Sequence, residues 1–335
     1  MIISRTPFRI SFFGGGTDYP AWFEHEKGAV LVTTIDKYCY VTCRPLPPFF
    51  EHRHRIVYSR IENASEIGEL AHPTVREGLR FMRIEDGVEI HHDGDLPARA
   101  GLGSSSAFTV GLLNSLYAMQ GRFVPKLQLA REATYVEREL AGEAVGSQDP
   151  ISTALGGFNR IEFSSDAEIS IDPLPLLGAR QRELEDSLLL YFTGFTRIAS
   201  EIAAEQIRNT DGRRRELREM YGMVDQAISI LASDSDLDAF GKLLHESWMR
   251  KRTLSSCVTT PRIDALYQRA CASGAIGGKL LGAGGGGFLL LFARPDTHAR
   301  IDAALGGLLR VPFRSEKHGT QIIFYDESSR LSDAR

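Results

Sequence analysis

The 335-residue chain contains no uninterrupted apolar run of the ~18 residues that a membrane-spanning helix requires, so a bilayer-spanning helix is excluded. Neither sign of charge is in excess. With 39 basic against 43 acidic side chains, the formal net charge is -4, which supplies no general pull toward nucleic acid or anionic lipid. Cysteine is scarce at four residues, and Cys39 and Cys43 stand four apart in an alternating, strand-like segment, which is not zinc-ligand spacing. Such a chain is not a disulfide scaffold, and its thiols are expected to be reduced. Internal repeats and low-complexity tails are missing too. The Walker pattern Gly-x4-Gly-Lys-Ser/Thr occurs nowhere, because Gly278-Lys279 is followed by Leu280 and not by a hydroxyl.

What is present is ample core material. A hydrophobic content of 43% over this length predicts a large interior, most simply divided between two domains. Met1 to Pro7 reads as a strand and not as a signal peptide, so a cytoplasmic place with small-molecule partners is expected, with no nucleic acid and no membrane. A homodimer is allowed.

The richest stretch is Leu96 to Ala107. Gly101, Gly103 and the run Ser104-Ser105-Ser106 open onto Phe108, Leu112 and Leu116, which recur at helical spacing. The loop therefore ends at a helix N-terminus, where backbone N–H groups lack partners and the dipole is positive, so an anion is the natural ligand. Glycine lets phosphate approach the backbone, and a serine hydroxyl can help hold a nucleotide's Mg2+. The stretch reads as a triphosphate cradle. An ordinary serine N-cap is the plain alternative. A Gly-x-Ser-x-Gly nucleophile elbow fails only at its last position, Ala107, but Pro97 and Arg99 stand where its buried strand should lie. A serine hydrolase using Ser105 stays open as a competitor.

Before this loop, Phe8, Ile10 and Phe12 alternate with Arg9 and Ser11, so a strand would set Arg9 and Ser11 on one face. It runs into Gly14-Gly15-Gly16-Thr17-Asp18, where Asp18 can accept from sugar-like hydroxyls or serve as a turn cap. Strands are expected over 29–35, 37–44 and 55–60, a helix around Glu62 to Phe81, and a strand near Gly87 to His92. After the loop, Leu127, Ala130, Ala133, Glu137 and Leu140 share one helical face from Lys126 to Gly142. A carboxylate on an apolar face must be paired, protonated or bound to a cation. Asp149, in Ser147-Gln148-Asp149-Pro150, sits at a loop-to-helix junction and reads most simply as a cap.

After a strand near Gly157 to Phe163, residues 166–186 read as a connector at a domain boundary. A strand follows over Ser187 to Phe192, then long helices carrying Leu217 to Leu231 and Leu237 to Trp248. Finally, Gly277 to Gly287 precedes the apolar run 288–292. Its formal Gly-x-Gly-x-x-Gly is spurious, since the run after it is strand-like where a dinucleotide fingerprint must open a helix. A glycine-rich strand connection packed against the Pro97 loop is expected instead.

Three segments in order, Pro7 to Tyr19, Pro97 to Ala107 and Lys279 to Gly287, resemble the signatures of the GHMP sugar and metabolite kinase superfamily. Within it, Phe13 to Pro20, Val57-Tyr58-Ser59, His72 to Glu77 and Gly146-Ser147-Gln148-Asp149 are similar to the D-glycero-D-manno-heptose 7-phosphate kinases. The resemblance implies an α+β, two-domain fold: a ribosomal-protein-S5-like, ATP-binding N-terminal domain over 1–170 and an α/β C-terminal domain over 171–335. It implies that Gly101, Leu102, Gly103, Ser104, Ser105 and Ser106 hold ATP, and that Ser105 and Glu137 are Mg2+ ligands. Asp149 would be the general base, with Arg9 beside the acceptor oxygen. Arg9, Ser11, Gly15, Gly16, Thr17, Asp18 and Asp149 would bind the substrate. Galactokinases carry Glu-His where this chain has Gly15-Gly16, which leaves room for a bulkier or phosphorylated sugar. The implied reaction moves the γ-phosphoryl group of ATP to the C1 hydroxyl of a heptose 7-phosphate. A fucokinase- or galactokinase-like 1-kinase would use the same constellation; a catalytically silent sugar sensor is a further alternative, against which an intact Arg9, Glu137 and Asp149 argue. Lys37, Arg44, Arg55, Arg60 and Lys317 are all open as partners of the sugar's own phosphate.

Overall fold

The structure, a computed structural model, describes residues 1–165, 168–195 and 199–327. Its elements in chain order are β1 (Ile2–Phe13), α1 (Pro20–Phe23), β2 (Gly28–Pro45), β3 (His54–Val57), β4 (Ile61–Ala64), α2 (Pro73–Phe81), β5 (Val88–Gly94), α3 (Ser104–Met119) and α4 (Lys126–Tyr135). There follow α5 (Gln148–Leu155), β6 (Phe158–Phe163), β7 (Ile169–Pro173), α6 (Gly178–Asp186), β8 (Leu188–Phe192), α7 (Ala199–Arg208), α8 (Arg214–Ala232), α9 (Asp238–Lys251) and α10 (Pro261–Ala272). The chain closes with β9 (Ala275–Leu280), β10 (Phe288–Ala293), α11 (His298–Ala304), β11 (Leu309–Arg310), β12 (Ser315–Glu316) and β13 (Gln321–Tyr325).

Among the described residues these strands form two sheets, giving the expected α+β class. The larger runs β13-β1-β2-β5-β3-β4, with β12 and β6 also on β2 and β7 on β6. The smaller, β11-β8-β10-β9, is antiparallel throughout. Long β2 is the backbone of the first sheet. Its early residues pair with β6 and its late ones with β5, while β1 follows it along nearly its whole length. The two strands expected over 29–35 and 37–44 are thus one: the pairing with β1 shifts register opposite Asp36, and there the Asp36 N–H donates to Arg314 O at 2.9 Å.

Two other expectations are corrected. Residues 61–64 belong to β4, paired antiparallel with β3, and the helix begins only at Pro73, with His72 accepting from the Val75 N–H as its cap. Apolar spacing across 62–81 mixed strand and helix, and Pro73 is the punctuation that separates them. The expected connector is ordered: β7 extends the first sheet and α6 leads into β8. Its first two residues, 166 and 167, lie outside the described residues. The first sheet draws strands from both ends of the chain, since β12 and β13 pair with β2 and β1.

One hydrophobic core spans both sheets. Phe240 of α9 packs edge-on against Phe12 and Phe13 of β1, with ring centroids 5.6 and 5.2 Å away, and leans on Phe292 of β10. These buried aromatics bury large areas and fix the second sheet against the end of β1. That is the end carrying Arg9 and Ser11.

Candidate active site

The helix start expected after Pro97 is present. Gly103 takes a left-handed conformation (φ 73°) immediately before Ser104 opens α3. Ser104 does not cap its own helix. Its Oγ instead accepts from the backbone N–H of Arg99 at 3.1 Å, which folds the loop back and leaves the first amides of α3 free to meet an anion. The glycine-rich turn after β9 backs this loop as expected: the Phe288 N–H donates to Ala100 O at 3.2 Å, and a Cβ on Gly101 would lie 2.4 Å from Leu281 O.

Arg9 rises from β1 beneath the loop and is 3% exposed. Its backbone N–H donates to Leu102 O, and its Nη1 to Gly101 O at 2.7 Å. The remaining edge forks onto Asp149, Nε to Oδ1 at 2.8 Å and Nη2 to Oδ2 at 2.7 Å. Asp149 is therefore not a cap. It lies in the first turn of α5, whose N-cap Ser147 makes no side-chain cap bond, and its carboxylate faces the cleft and is partly exposed. A planar guanidinium matches a carboxylate at two points, so this geometry holds Asp149 at a fixed distance from the phosphate loop.

Asp18 is buried beside the same cleft. Oδ1 accepts from the Gly16 N–H at 3.0 Å, whereas Oδ2 has no partner. Burial, with Asp149 nearby, pushes its carboxyl above the usual range. Ser11 Oγ and Gln148 Oε1 are likewise buried and unpartnered, and both residues line the cleft. Buried polar atoms without partners are costly. Three such atoms lie around this one cavity.

The cleft holds about 810 Å3 and brings together Arg9, Ser11, Gly15, Gly16, Asp18, Gly101, Gly103, Ser104, Ser105, Ser106 and Asp149. Thr17 is not part of its wall. Its buried hydroxyl is 2.8 Å from Gly14 O and accepts from the Ala29 N–H at 3.1 Å, bracing β1 against β2. Leu102 contributes backbone, its side chain being buried in the core.

Glu137 sits behind the serines, fully buried. The helix α4 passes at Val136–Leu140 into a π-turn, a wider turn that often occurs at functional sites. Ser105 donates to Oε1 at 3.2 Å, Ser106 to Oε2 at 2.8 Å and Thr109 to Oε1 at 2.9 Å. Burial nevertheless raises the Glu137 carboxyl to about 7.

Three cationic residues were not legible as site residues. Arg138 donates to Val145 O and Ser147 Oγ, each at 2.8 Å, clamping the loop before Asp149. Lys279 is buried in β9 and donates to Ser11 O and Phe12 O at 2.9 and 2.8 Å; burial pushes its ammonium well down. A lone lysine in an apolar strand was a usable signal for it. Lys251, at the end of α9, donates to Gly282 O and also lines the cleft.

A serine hydrolase is not supported. Ser105 lies in the first turn of α3, its side chain bonds a buried glutamate and not a histidine, and no buried strand precedes it. A helix start with free amides, an Arg–Asp pair and buried polar atoms without partners thus lie together in one cleft.

The comparisons agree. Residues 69–157 match the GHMP kinases N terminal domain and residues 212–306 the GHMP kinases C terminal domain. The mevalonate kinase of Pyrococcus horikoshii is 30% identical over 70% of this chain and 69% of its own length. The D-glycero-alpha-D-manno-heptose 7-phosphate kinase of Campylobacter jejuni is 28% identical over 91% of this chain and 93% of its own. A crystal structure described as a D-glycero-D-manno-heptose 1-phosphate kinase from Bacteroides thetaiotaomicron superposes with a TM-score of 0.76 over 97% of this chain and all of that one, at 23% identity. The chain belongs to the GHMP kinases, and its relatives over nearly its whole length include the Campylobacter heptose 7-phosphate kinase and a galactokinase of Pyrococcus furiosus, the latter 24% identical over 91% of this chain and 92% of its own. No helix among the described residues is long and apolar enough to cross a membrane.

Proposed function

We propose that this protein transfers the γ-phosphoryl group of ATP to the anomeric C1 hydroxyl of D-glycero-D-manno-heptose 7-phosphate. The 1,7-bisphosphate would serve nucleotide-activated heptose and surface polysaccharide. The observation that carries the reading is the two-point Arg9–Asp149 pair placed between the phosphate loop and Asp18. The Campylobacter relative, similar over nearly the whole chain, supplies the acceptor.

Phosphoryl transfer depends on alignment and on neutralising spread charge more than on covalent chemistry. In this reading the amides of 101–106 hold the ATP phosphates, and Arg9, tied to Gly101 O, keeps positive charge beside the acceptor oxygen. Asp149 accepts the proton of the C1 hydroxyl on whichever oxygen faces the cleft, which requires hydrogen-bond reach of about 2.6–3.2 Å. Asp18 Oδ2, Ser11 Oγ and Gln148 Oε1 take the sugar's hydroxyls. Gly15, where an added Cβ would meet nothing closer than Ser11 Oγ at 3.8 Å, leaves space for the sugar's extra carbon.

A carboxylate and a hydroxyl are the hard oxygen donors that Mg2+ takes alongside substrate phosphates, so Ser105 and Glu137 fit as its ligands. A buried carboxylate held by three hydroxyls and no cation is also the kind of group that a metal would stabilise. When bound, Mg2+ would neutralise phosphate charge.

The test is coupled ADP release across heptose 7-phosphate, heptose 1-phosphate, free heptose, L-fucose and galactose. The highest kcat/KM is expected with the 7-phosphate. A preference for fucose or galactose would replace the acceptor; binding of ATP and sugar with no ADP from any of them would replace the reaction itself.

A further inference from the structure

Among the described residues, the cations that line the cleft are Arg9, Arg60, Arg99, Lys251 and Lys279. Lys37, Arg44, Arg55 and Lys317, left open above for a substrate phosphate, are not among them. Arg60 and Arg99 are exposed and stand at one end, where the charge of Arg60 acts on Tyr58 and that of Arg99 on His72. The His72 ring meets Tyr58 edge-on and packs on Phe108, so that end is an aromatic slot. Arg9, Lys251 and Lys279 gather elsewhere, close enough to repel one another beside Asp18.

Two of these three hold a single backbone contact. Gly101 of the phosphate loop and Gly282 of the turn after β9 pack so closely that a Cβ on Gly282 would lie 3.1 Å from Gly101 O. Arg9 Nη1 donates to one of the two carbonyls, Gly101 O, at 2.7 Å, and Lys251 Nζ, from the end of α9, donates to the other, Gly282 O. Arg9 also grips Asp149, and Lys279 is committed to Ser11 O and Phe12 O. Lys251 is different. An ammonium has three donors, and among the described residues Lys251 uses one. It is 4% exposed, yet it lines the cleft. Asp18 and Asp149 act on it through space without pairing with it. A buried charge with donors to spare is costly unless a partner of opposite sign arrives.

We propose that Lys251 is a catalytic residue, its Nζ donating to the phosphoryl group as that group passes from the nucleotide to the acceptor oxygen. The inference rests on the reading of 101–106 as the phosphate end of the cleft and of Arg9 and Asp149 as the place of the acceptor hydroxyl; it does not depend on which alcohol is the acceptor. As the bond from phosphorus to the ADP oxygen breaks, the bond to the acceptor oxygen forms, the acceptor's proton goes to Asp149, and Lys251 keeps its own. Negative charge spread over the group in transit is what a cation fixed at that junction stabilises. Burial, with Arg9 close by, pushes the Lys251 ammonium down to about 8, and a phosphoryl group against it would favour its charged form.

The experiment takes the acceptor that the wild type turns over fastest and measures kcat, the dissociation constant for ADP and the melting temperature of the wild type, K251M and K251R. Methionine fills the buried space without charge, so K251M should fold; K251Q, also neutral, is held to the same outcomes should methionine fail. In K251M kcat should fall at least about a hundredfold, as when a donor to charge developing in a transition state is removed. Its affinity for ADP should be unchanged, because ADP lacks the transferred group, and K251R, which restores the charge, should recover most of the loss. The proposal is overturned if K251M keeps wild-type kcat, if it weakens ADP as much as it slows turnover, as loss of a mere brace on Gly282 would, or if K251R is as slow as K251M. If heptose 7-phosphate is not the fastest acceptor, it is the acceptor reading that fails, and this test runs unchanged on the alcohol found. If the wild type phosphorylates none, the reading of the reaction fails before any variant is made, and the proposal falls with it.

Discussion

Gly101 and Gly282 press backbone against backbone: a Cβ built on Gly282 would lie 2.4 Å from the Cα of Gly101. Gly282 is also held at φ 71°, where an L side chain costs about 1–2 kcal/mol. Through this contact the turn after β9 sets the height of the phosphate loop. Gly282→Ala should lower the melting temperature and raise the dissociation constant for ATP at least about tenfold, because relief of the clash must move the loop amides. Calorimetric titration with ATP checks this, and wild-type affinity in G282A would show that the two loops are not coupled.

Asp149→Asn keeps the side chain's shape but sets an amide N–H2 against the Arg9 fork and removes the proton acceptor. Turnover should fall by about 10²–10⁴, the usual range for a general base, while ATP binding changes little. Steady-state kinetics beside ATP titration separate the two. Unchanged turnover removes Asp149 from the mechanism.

Glu137 gives a pH signature of known sign. Its carboxyl is raised by burial from 4.5 to about 7, so the folded state binds more protons than the unfolded state between those values. Stability from this group is greatest below pH 4.5 and is lost as pH rises toward 7. Glu137→Gln cannot titrate. The stability of E137Q relative to the wild type should therefore climb from pH 5 to pH 8 in the absence of nucleotide, although its turnover falls. Denaturant melts at a series of pH values measure the difference, and a flat difference would contradict it.

Two adjacent glycines should behave oppositely. A Cβ on Gly14 would meet Ala29 O at 1.8 Å, and the residue sits at φ 80°, so Gly14→Ala should cripple folding. On Gly15 it would find only Ser11 Oγ at 3.8 Å and Gln148 Nε2 at 3.9 Å. Gly15→Ala should fold with a wild-type melting temperature yet raise KM for the sugar and not for ATP, since the methyl projects toward the orphaned polar atoms. A G15A enzyme with normal sugar KM would show that this space is not used.

The legible parts of the site were those with a local cause. Gly101 to Ser106 declared an anion-binding helix start because glycines and hydroxyls before an apolar repeat act through backbone amides of the same segment. Glu137 stood out because a carboxylate on an apolar face has few fates. The boundary between β4 and α2 was missed because its apolar spacing fits either period until Pro73. The resemblance implied Thr17 as a sugar ligand, but its hydroxyl is spent on Gly14 and Ala29.

The amino-acid order by itself determined an anion-binding helix start after Pro97 and Glu137 as a residue needing explanation, since periodicity, turn chemistry and misplaced charge are properties of short windows; the α+β, two-domain class and the roles expected of Arg9, Asp18 and Asp149 came from the family resemblance. Tertiary structure alone decided that Arg9 grips Asp149, that Ser11, Asp18 and Gln148 share one cleft with unsatisfied atoms, and that Lys251 reaches it from the other half of the chain. Those relations depend on the packing of Phe240 against Phe12 and Phe13, and no pattern within either segment encodes the distance between two side chains that meet only after the sheets have docked.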